Sequence, residues 1–309
     1  MRGAFFQTLV EMGEVDDRIF LIVADIGFGV VETFARKFPK RFLNIGVAEQ
    51  NLTGVAAGVA LSGKIVFTYS IANFPILRCI EQVRNDVCYH KANVKIVSVG
   101  GGYSYGALGM THHATEDIAI LRALPEMTVV APGDPVEVRA ATRAIVEHSG
   151  PVYFRLGRAG EPVLHESAIQ FRLGKAIQVR DGDAITIIST GAMLQNAIQV
   201  ADKLSARGME ARVLSMHTVK PLDEEAVLVA ARETRAIVTL EEHSIIGGLG
   251  GAVAECLAES GLATPFKRLG LPSAFSSHIG SQEYLRSKSN LSPDSILNSL
   301  EQLLAVNVM

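Results

Sequence analysis

The sequence predicts a two-domain α/β protein, on three observations. Short apolar runs alternate with helical patterns almost from end to end, which is how βαβ units read when they build parallel sheets. At 309 residues the chain has length for two domains of roughly 150 residues each. Between Gly157 and Lys175 the pattern dissolves into RAGEPVLHESAIQFRLG, aperiodic and interrupted by a proline, as a linker would. The division is then a first domain over 1–158, a linker over 159–174 and a second domain over 175–309.

In the first domain the apolar runs predict strands at Ile19 to Ala24, Phe42 to Ile45, Ile65 to Tyr69, Val94 to Val99, Thr128 to Ala131 and Val152 to Leu156. Helical patterns lie between them at Glu49 to Leu61, Phe74 to Lys91, Thr115 to Leu124 and Pro135 to His148. Asn73 before Pro75 is a start signal for the second helix, and Thr111 or Thr115 for the third. Gly133-Asp134-Pro135 and Gly150-Pro151 mark both ends of the fourth. In the second domain strands are expected at Ile185 to Ser189, Ala211 to Ser215, Ala236 to Leu240 and Phe266 to Gly270. Helices are expected there at Met193 to Arg207, Asp223 to Arg232, Gly251 to Ser260 and Pro293 to Leu304. Thr190-Gly191 and Gly247-Gly248-Leu249-Gly250 are strand-to-helix turns of the kind that cradle an anion, although neither fits a dinucleotide fingerprint or a P-loop.

Composition narrows the function. With 48% hydrophobic and 20% charged residues the chain is globular, and a net charge of −3 offers no field for a phosphate backbone, which argues against nucleic acid. Cys79, Cys88 and Cys256 are few and far from CxxC spacing, as in a reducing compartment. The opening MRGAFFQTLVEMGEVDD has acidic residues where a signal peptide needs an apolar core, so a cytoplasmic protein is expected. The apolar stretch Gln50 to Leu77 is broken by Ser62-Gly63-Lys64 and reads as a helix and a strand, with no membrane span; its Gly54-x-x-x-Gly58 then suggests close helix packing in a soluble core.

Three places carry candidate chemistry. Glu49 stands at a strand-to-helix turn, where an open α/β sheet places its ligands, at the head of a helix poor in charge. A first-turn Glu serves the helix dipole anywhere, but one in an apolar setting is desolvated and suited to sharing a proton with a basic nitrogen. His112 and His113 follow the loop GGGYSYGALG; adjacent histidines diverge, so proton transfer or substrate bonding by one fits better than metal chelation. Arg155 and Arg158, in YFRLGRAG, suit an anionic substrate group, or equally a salt bridge.

Taken in order, VADIG, NIGVAEQN, NFPILRCIEQVRND, GMTHHATEDIAILRALPEM, TVVAPGDPVE, VKPLD and VTLEEHSIIGGLGGAVAE resemble the carboxyl-terminal half of a transketolase, in the form split into two polypeptides. The resemblance runs from Asp25 to the last helix. It implies a parallel-sheet pyrimidine-binding domain of thiamin diphosphate enzymes followed by the family's carboxyl-terminal α/β domain. It implies transfer of a two-carbon ketol unit from a ketose to an aldose, with the cofactor as electron sink. Glu49 would hydrogen-bond the cofactor's aminopyrimidine and promote the tautomer that removes the thiazolium proton. Phe74, four residues before Arg78, would stack on the pyrimidine within one or two positions, with Ile71 as its apolar neighbour and Arg78 counted with them among the cofactor-binding residues. Asp25 would lie near the cofactor at a subunit junction. His112 would contact the donor sugar's reacting hydroxyl or carbonyl, with His113 also counted at the substrate, and Arg158, with Arg155 as reserve, would hold a sugar phosphate.

Two departures stand out. Leu108 takes the place of an aspartate found in many relatives four positions before the histidine, and Gly100-Gly101-Gly102 lacks a phosphate-binding histidine of full-length transketolases. A sugar or sugar-phosphate substrate is therefore expected without a particular identity. The family's GDG-and-Asn motif for the diphosphate and Mg²⁺ has only a poor echo in Asp181-Gly182-Asp183. An amino-terminal partner subunit is thus expected to carry that site, in an α2β2 heterotetramer, with the small residues of Glu49 to Leu61 packing at an interface. The beta subunit of a 2-oxo acid dehydrogenase shares this architecture, but THHATEDIA favours transketolase. Deoxyxylulose phosphate synthase is usually one longer chain. A non-catalytic interaction module of the same fold is the reading from another class, and it leaves the buried Glu49 without a purpose.

Overall fold

The computed structural model describes residues 1–306, so positions 307–309 of the expected second domain lie outside the described residues. Strands in chain order are β1 (Ile19–Val23), β2 (Phe42–Asn44), β3 (Ile65–Ile71), β4 (Val94–Val99), β5 (Thr128–Val130) and β6 (Val152–Leu156). They continue as β7 (Ile177–Arg180), β8 (Ile185–Ser189), β9 (Ala211–Ser215), β10 (Thr218–Lys220), β11 (Ile237–Ser244) and β12 (Phe266–Leu271). One sheet has the order β10-β5-β6-β4-β3-β1-β2 and the other β12-β11-β8-β9-β7.

Helices cover both faces of the first sheet, so its central strands are mostly apolar and are buried along their length. Every residue of β4 and β6 is buried. Helix Arg2–Val15, with Phe5, Phe6 and Leu9, packs with Val138, Ala141 and Ile145 of helix Pro135–Glu147 on one face. On the other, Leu52, Ala56, Ala57 and Ala60 of helix Glu49–Leu61 join a core that runs without interruption to Val227, Ile237 and Val253 of the second half. The two halves therefore share apolar interior.

The sheets are mostly parallel and not wholly so. β10 runs antiparallel to β5, and β7 antiparallel to β9. Both are short edge strands of mixed polarity, TVK and IQVR, too brief for their alternation to announce them. Helices Arg2–Val15, Glu32–Lys37 and Gln282–Lys288 likewise lie outside the pattern-based expectation. β10 is the more consequential: a segment of the second half forms an edge of the first sheet, and Lys220 Nζ reaches the main-chain oxygens of Arg122, at 3.0 Å, and Leu124.

Local signals fare unevenly. Asp134 caps helix Pro135–Glu147 as its sequence says, accepting from the Glu137 N–H at 2.8 Å. Asn73 does not cap; its Nδ2 donates to the Thr111 oxygen at 2.7 Å, and the continuous helix expected over Phe74 to Lys91 is broken into Phe74–Leu77, Ile80–Gln82 and a π-helical stretch Val83–Cys88. Neither Thr111 nor Thr115 caps helix Asp117–Ala123: Thr111 Oγ1 lies 3.0 Å from His112 Nδ1, and Thr115 Oγ1 donates to Glu116. The group cradled at the Gly247–Gly250 turn is the protein's own Glu241 carboxyl, which accepts from the N–H groups of Leu249 and Gly250 at 2.7 and 2.8 Å. Gly54 and Gly58, expected in the core, stand on the exposed side of their helix with open space beside them. Cys79 and Cys88 are buried and free, and Cys256 is half-buried. Among the described residues no helix is long and apolar enough to cross a membrane.

Candidate active site

The carboxyl ends of β1, β2, β3, β4 and β6 converge on one edge of the first sheet, and the expected residues follow them in the chain. After β1 comes Asp25, in left-handed backbone at φ 51°. Its N–H donates to Asn44 Oδ1 at 3.0 Å, and its Oδ1 accepts from Asn44 Nδ2 at 2.9 Å. Asn44, the last residue of β2, also accepts from the Gly46 N–H at 3.0 Å, so one side chain fixes both Asp25 and the turn that leads to Glu49. Gly46 has φ 76°, a conformation in which a side chain is strained.

Glu49 is the first residue of its helix and is 2% exposed. Ser70 Oγ, at the end of β3, donates to its Oε1 at 3.3 Å, and Arg78 Nη1 donates to its Oε2 at 3.1 Å. The Arg78 guanidinium lies over the Phe74 ring, 4.6 Å from its centroid. The edge-to-face partner of Phe74 is His112, at 5.2 Å between centroids. His112 is 6.5 Å from the Tyr105 ring, and the Arg158 guanidinium lies 5.1 Å over that same ring. Glu49, Arg78, Phe74, His112, Tyr105 and Arg158 thus form one continuous row, with a buried anion at one end and an exposed cation at the other.

Other candidates stand apart from the row. Ile71 ends β3 half-buried, paired with Val99. His113 is buried against Tyr103, at 4.9 Å between rings, and burial lowers its pKa, so it is neutral near pH 7. It lines a cleft of about 650 Å³ that has Asn73, Phe74 and Arg78 on one wall and Leu271, Pro272 and Phe275 on the other. Arg155 is not free for a substrate anion. Its Nε donates to Asp117 Oδ2 at 2.7 Å, and its Nη2 to the main-chain oxygens of Ala114 and Glu242 at 2.8 and 3.0 Å. Burial alone would raise the Asp117 carboxyl, but the Arg155 charge, helped by His243 and the Tyr153 hydroxyl, holds it below the usual range. Of the two arginines only Arg158 stays exposed.

The departures have physical counterparts. A Cβ on Gly101 would sit 2.7 Å from Arg155 Cζ, and one on Gly100 2.1 Å from the Tyr105 ring. The space a histidine would need is filled by those two side chains. Leu108 is 54% exposed and contributes an apolar surface beside the row. Asp181-Gly182 lies in the turn after β7, where a Cβ on Gly182 would strike the backbone of Glu210 and Ala211; that glycine allows two segments to approach. Sequence reasoning passed over Asn44, Ser70 and Tyr105. Tyr105 had a signal, an aromatic inside a glycine-rich loop, whereas nothing in the types of Asn44 and Ser70 singles them out.

The transketolase pyrimidine binding domain family matches residues 1–160, and the transketolase C-terminal domain family residues 174–296. The chain is 41% identical over 304 residues to the 6-deoxy-6-sulfo-D-fructose transketolase subunit SqwH of Clostridium sp. (strain MSTE9), covering 98% of this chain and 94% of that one. It is 42% identical over 284 residues to one of the subunits of the apulose-4-phosphate transketolase of Phocaeicola vulgatus, covering 91% and 90%. A split gene transketolase solved as an inactive beta4 tetramer superposes with a TM-score of 0.92 at 39% identity, over 99% of this chain and 98% of that one. A transketolase from Pichia stipitis has the same fold at 20% identity, with a TM-score of 0.84 over 99% of this chain and 46% of that one. Fold and domain order define an α/β protein of the transketolase type, a pyrimidine-binding-family domain followed by the transketolase C-terminal domain. The chain belongs to the transketolase family, and matches split transketolase subunits over nearly all of its length.

Proposed function

We propose that this chain is the carboxyl-terminal subunit of a thiamin diphosphate-dependent transketolase that moves a two-carbon ketol unit from a ketose to an aldose. The observation that carries the reading is Glu49: a carboxylate 2% exposed at the ligand edge of a mostly parallel sheet, held against a flat, nitrogen-bearing group that lies over the Phe74 ring. An aminopyrimidine presents the same features, a planar face and a nitrogen able to hydrogen-bond a carboxylate, so the residues fit it. When bound, the cofactor supplies the electron sink that makes cleavage next to a ketose carbonyl possible. Glu49 would share a proton with a pyrimidine ring nitrogen and hold it there in a dry setting. Phe74 fixes the ring plane, Asp25 flanks the junction, His112 bonds the donor's hydroxyl or carbonyl, and Arg158 holds an anionic group of the sugar.

The diphosphate and Mg²⁺ belong in this reading to an amino-terminal partner, in a cytoplasmic α2β2 assembly. In support, Phe28, Leu43 and Val47 are large apolar residues left exposed around Asp25 and Asn44 at this same edge, and Gly54, Gly58 and Leu61 are exposed on the Glu49 helix. Such patches on one chain mark association surfaces. The test is a steady-state assay of the chain reconstituted with its amino-terminal partner. Glu49→Gln is expected to abolish ketol transfer while the two subunits still co-elute; a variant that assembles and retains full activity removes Glu49 from the chemistry.

A further inference from the structure

The guanidinium of Arg78 fills the berth that the proposed function reserves for a ring. It is planar and delocalised, lies 4.6 Å over the face of Phe74, and donates from Nη1 to Glu49 Oε2 at 3.1 Å. Those are the two contacts an aminopyrimidine would make there, and two flat groups cannot occupy one face of Phe74 together. We propose that Arg78 is an internal stand-in for the cofactor ring: it closes the berth between Phe74 and Glu49 in the cofactor-free chain and swings out when the ring enters.

The energetics of both states are consistent. Glu49 is nearly inaccessible to water, and a buried carboxylate without a cation or strong donor is costly. The Ser70 hydroxyl, at 3.3 Å, is a long and neutral bond. Arg78 therefore keeps the pocket folded and neutral before the cofactor arrives. It can also leave, because its side chain is 48% exposed and springs from the break between helical segments Phe74–Leu77 and Ile80–Gln82. Withdrawal into solvent loses one ion pair and one stack and disturbs no helix. The cofactor then binds with an apparent affinity lowered by the fraction of chains whose berth is closed.

This inference rests on Glu49 and Phe74 receiving a pyrimidine, and its test separates the two claims. Unfolding of the chain alone is measured for wild type, Arg78→Ala, Glu49→Gln and the double variant. Thiamin diphosphate with Mg²⁺ is titrated calorimetrically into the chain mixed with its amino-terminal partner. Arg78→Ala is expected to destabilise the free chain, to do so no longer in the Glu49→Gln background, and to tighten cofactor binding roughly three- to tenfold. Unchanged or weaker binding in Arg78→Ala overturns the stand-in role, as does additivity of the two substitutions. Should Glu49→Gln leave cofactor affinity and ketol transfer intact, the pyrimidine reading itself falls; failure of the Arg78 result alone leaves that reading in place.

Discussion

Arg155 Nη2, on the last strand contributed by the first half, donates to the main-chain oxygen of Glu242, on β11 of the second sheet, at 3.0 Å. The same guanidinium pairs with Asp117 and bonds Ala114 just past the histidine loop. One buried cation thus joins both sheets to the segment that presents His112. Replacing Arg155 by Ala strands the Asp117 carboxylate and is expected to cost about 3–5 kcal/mol. Urea unfolding of the two chains measures it; a loss below about 1 kcal/mol would put this pair among ordinary surface bridges.

Gly101 faces that guanidinium with no room to spare. Gly101→Ala places a methyl 2.7 Å from Arg155 Cζ, and overpacking of this kind costs about 1–3 kcal/mol. Because both substitutions act on the same contact, combining Gly101→Ala with Arg155→Ala should give less than the sum of the two losses. Strict additivity would show that the clash is relieved elsewhere.

Glu241 gives a signed pH dependence. Its burial, only partly offset by the N–H groups of Gly250 and Leu249, pushes the carboxyl up to about 7 from an ordinary 4.5. The folded chain then holds a proton that the unfolded chain has lost between those values. Stability from this group is complete below pH 4.5 and is lost as pH rises through about 7, on the order of 3 kcal/mol in all. Denaturation midpoints from pH 4.5 to 8 should show this fall, and Glu241→Gln should flatten it. An equal slope in the variant assigns the effect to other groups.

Arg158, exposed over Tyr105, is the cation placed at the open end of the row. In the reconstituted enzyme Arg158→Ala should raise KM for a donor with an anionic group by about tenfold or more, with kcat little altered, since a charged hydrogen bond to a remote group is uniform binding. An uncharged ketose serves as control, and an equal KM change for it would exclude anion binding as the role.

How far these features are legible in the sequence depends on what kind of physics specifies them. Helix Glu49–Leu61 and strands β4, β6, β8 and β9 coincide with the expected bounds, because each carries its own period or apolar run. Asp134 is legible for the same reason, a local cap next to a proline. Asn73 has the same local signature and does something else, since Thr111, 38 residues away, offers its side chain a main-chain oxygen. β7 and β10 are made by the edges they join, and a strand of three or four residues is too short for its pattern to stand out. At the site, Glu49, Phe74 and His112 were legible as residues, and their meeting in one row was not. The choice between Arg155 and Arg158 turned on Asp117, an acidic residue that reads as a helix-start carboxylate until the fold brings it beneath β6.

The strand exchange at Thr218–Lys220 bears on how this chain can be cut or shuffled. A fragment ending in the linker would leave the outer side of β5 as a bare row of backbone donors and acceptors, the usual template for edge-to-edge aggregation. The module that can travel in a fusion or a chimera is therefore not the first 158 residues. It is those residues together with a short strip of the second half, and a recombination point between 159 and 217 must bring a compatible strip along.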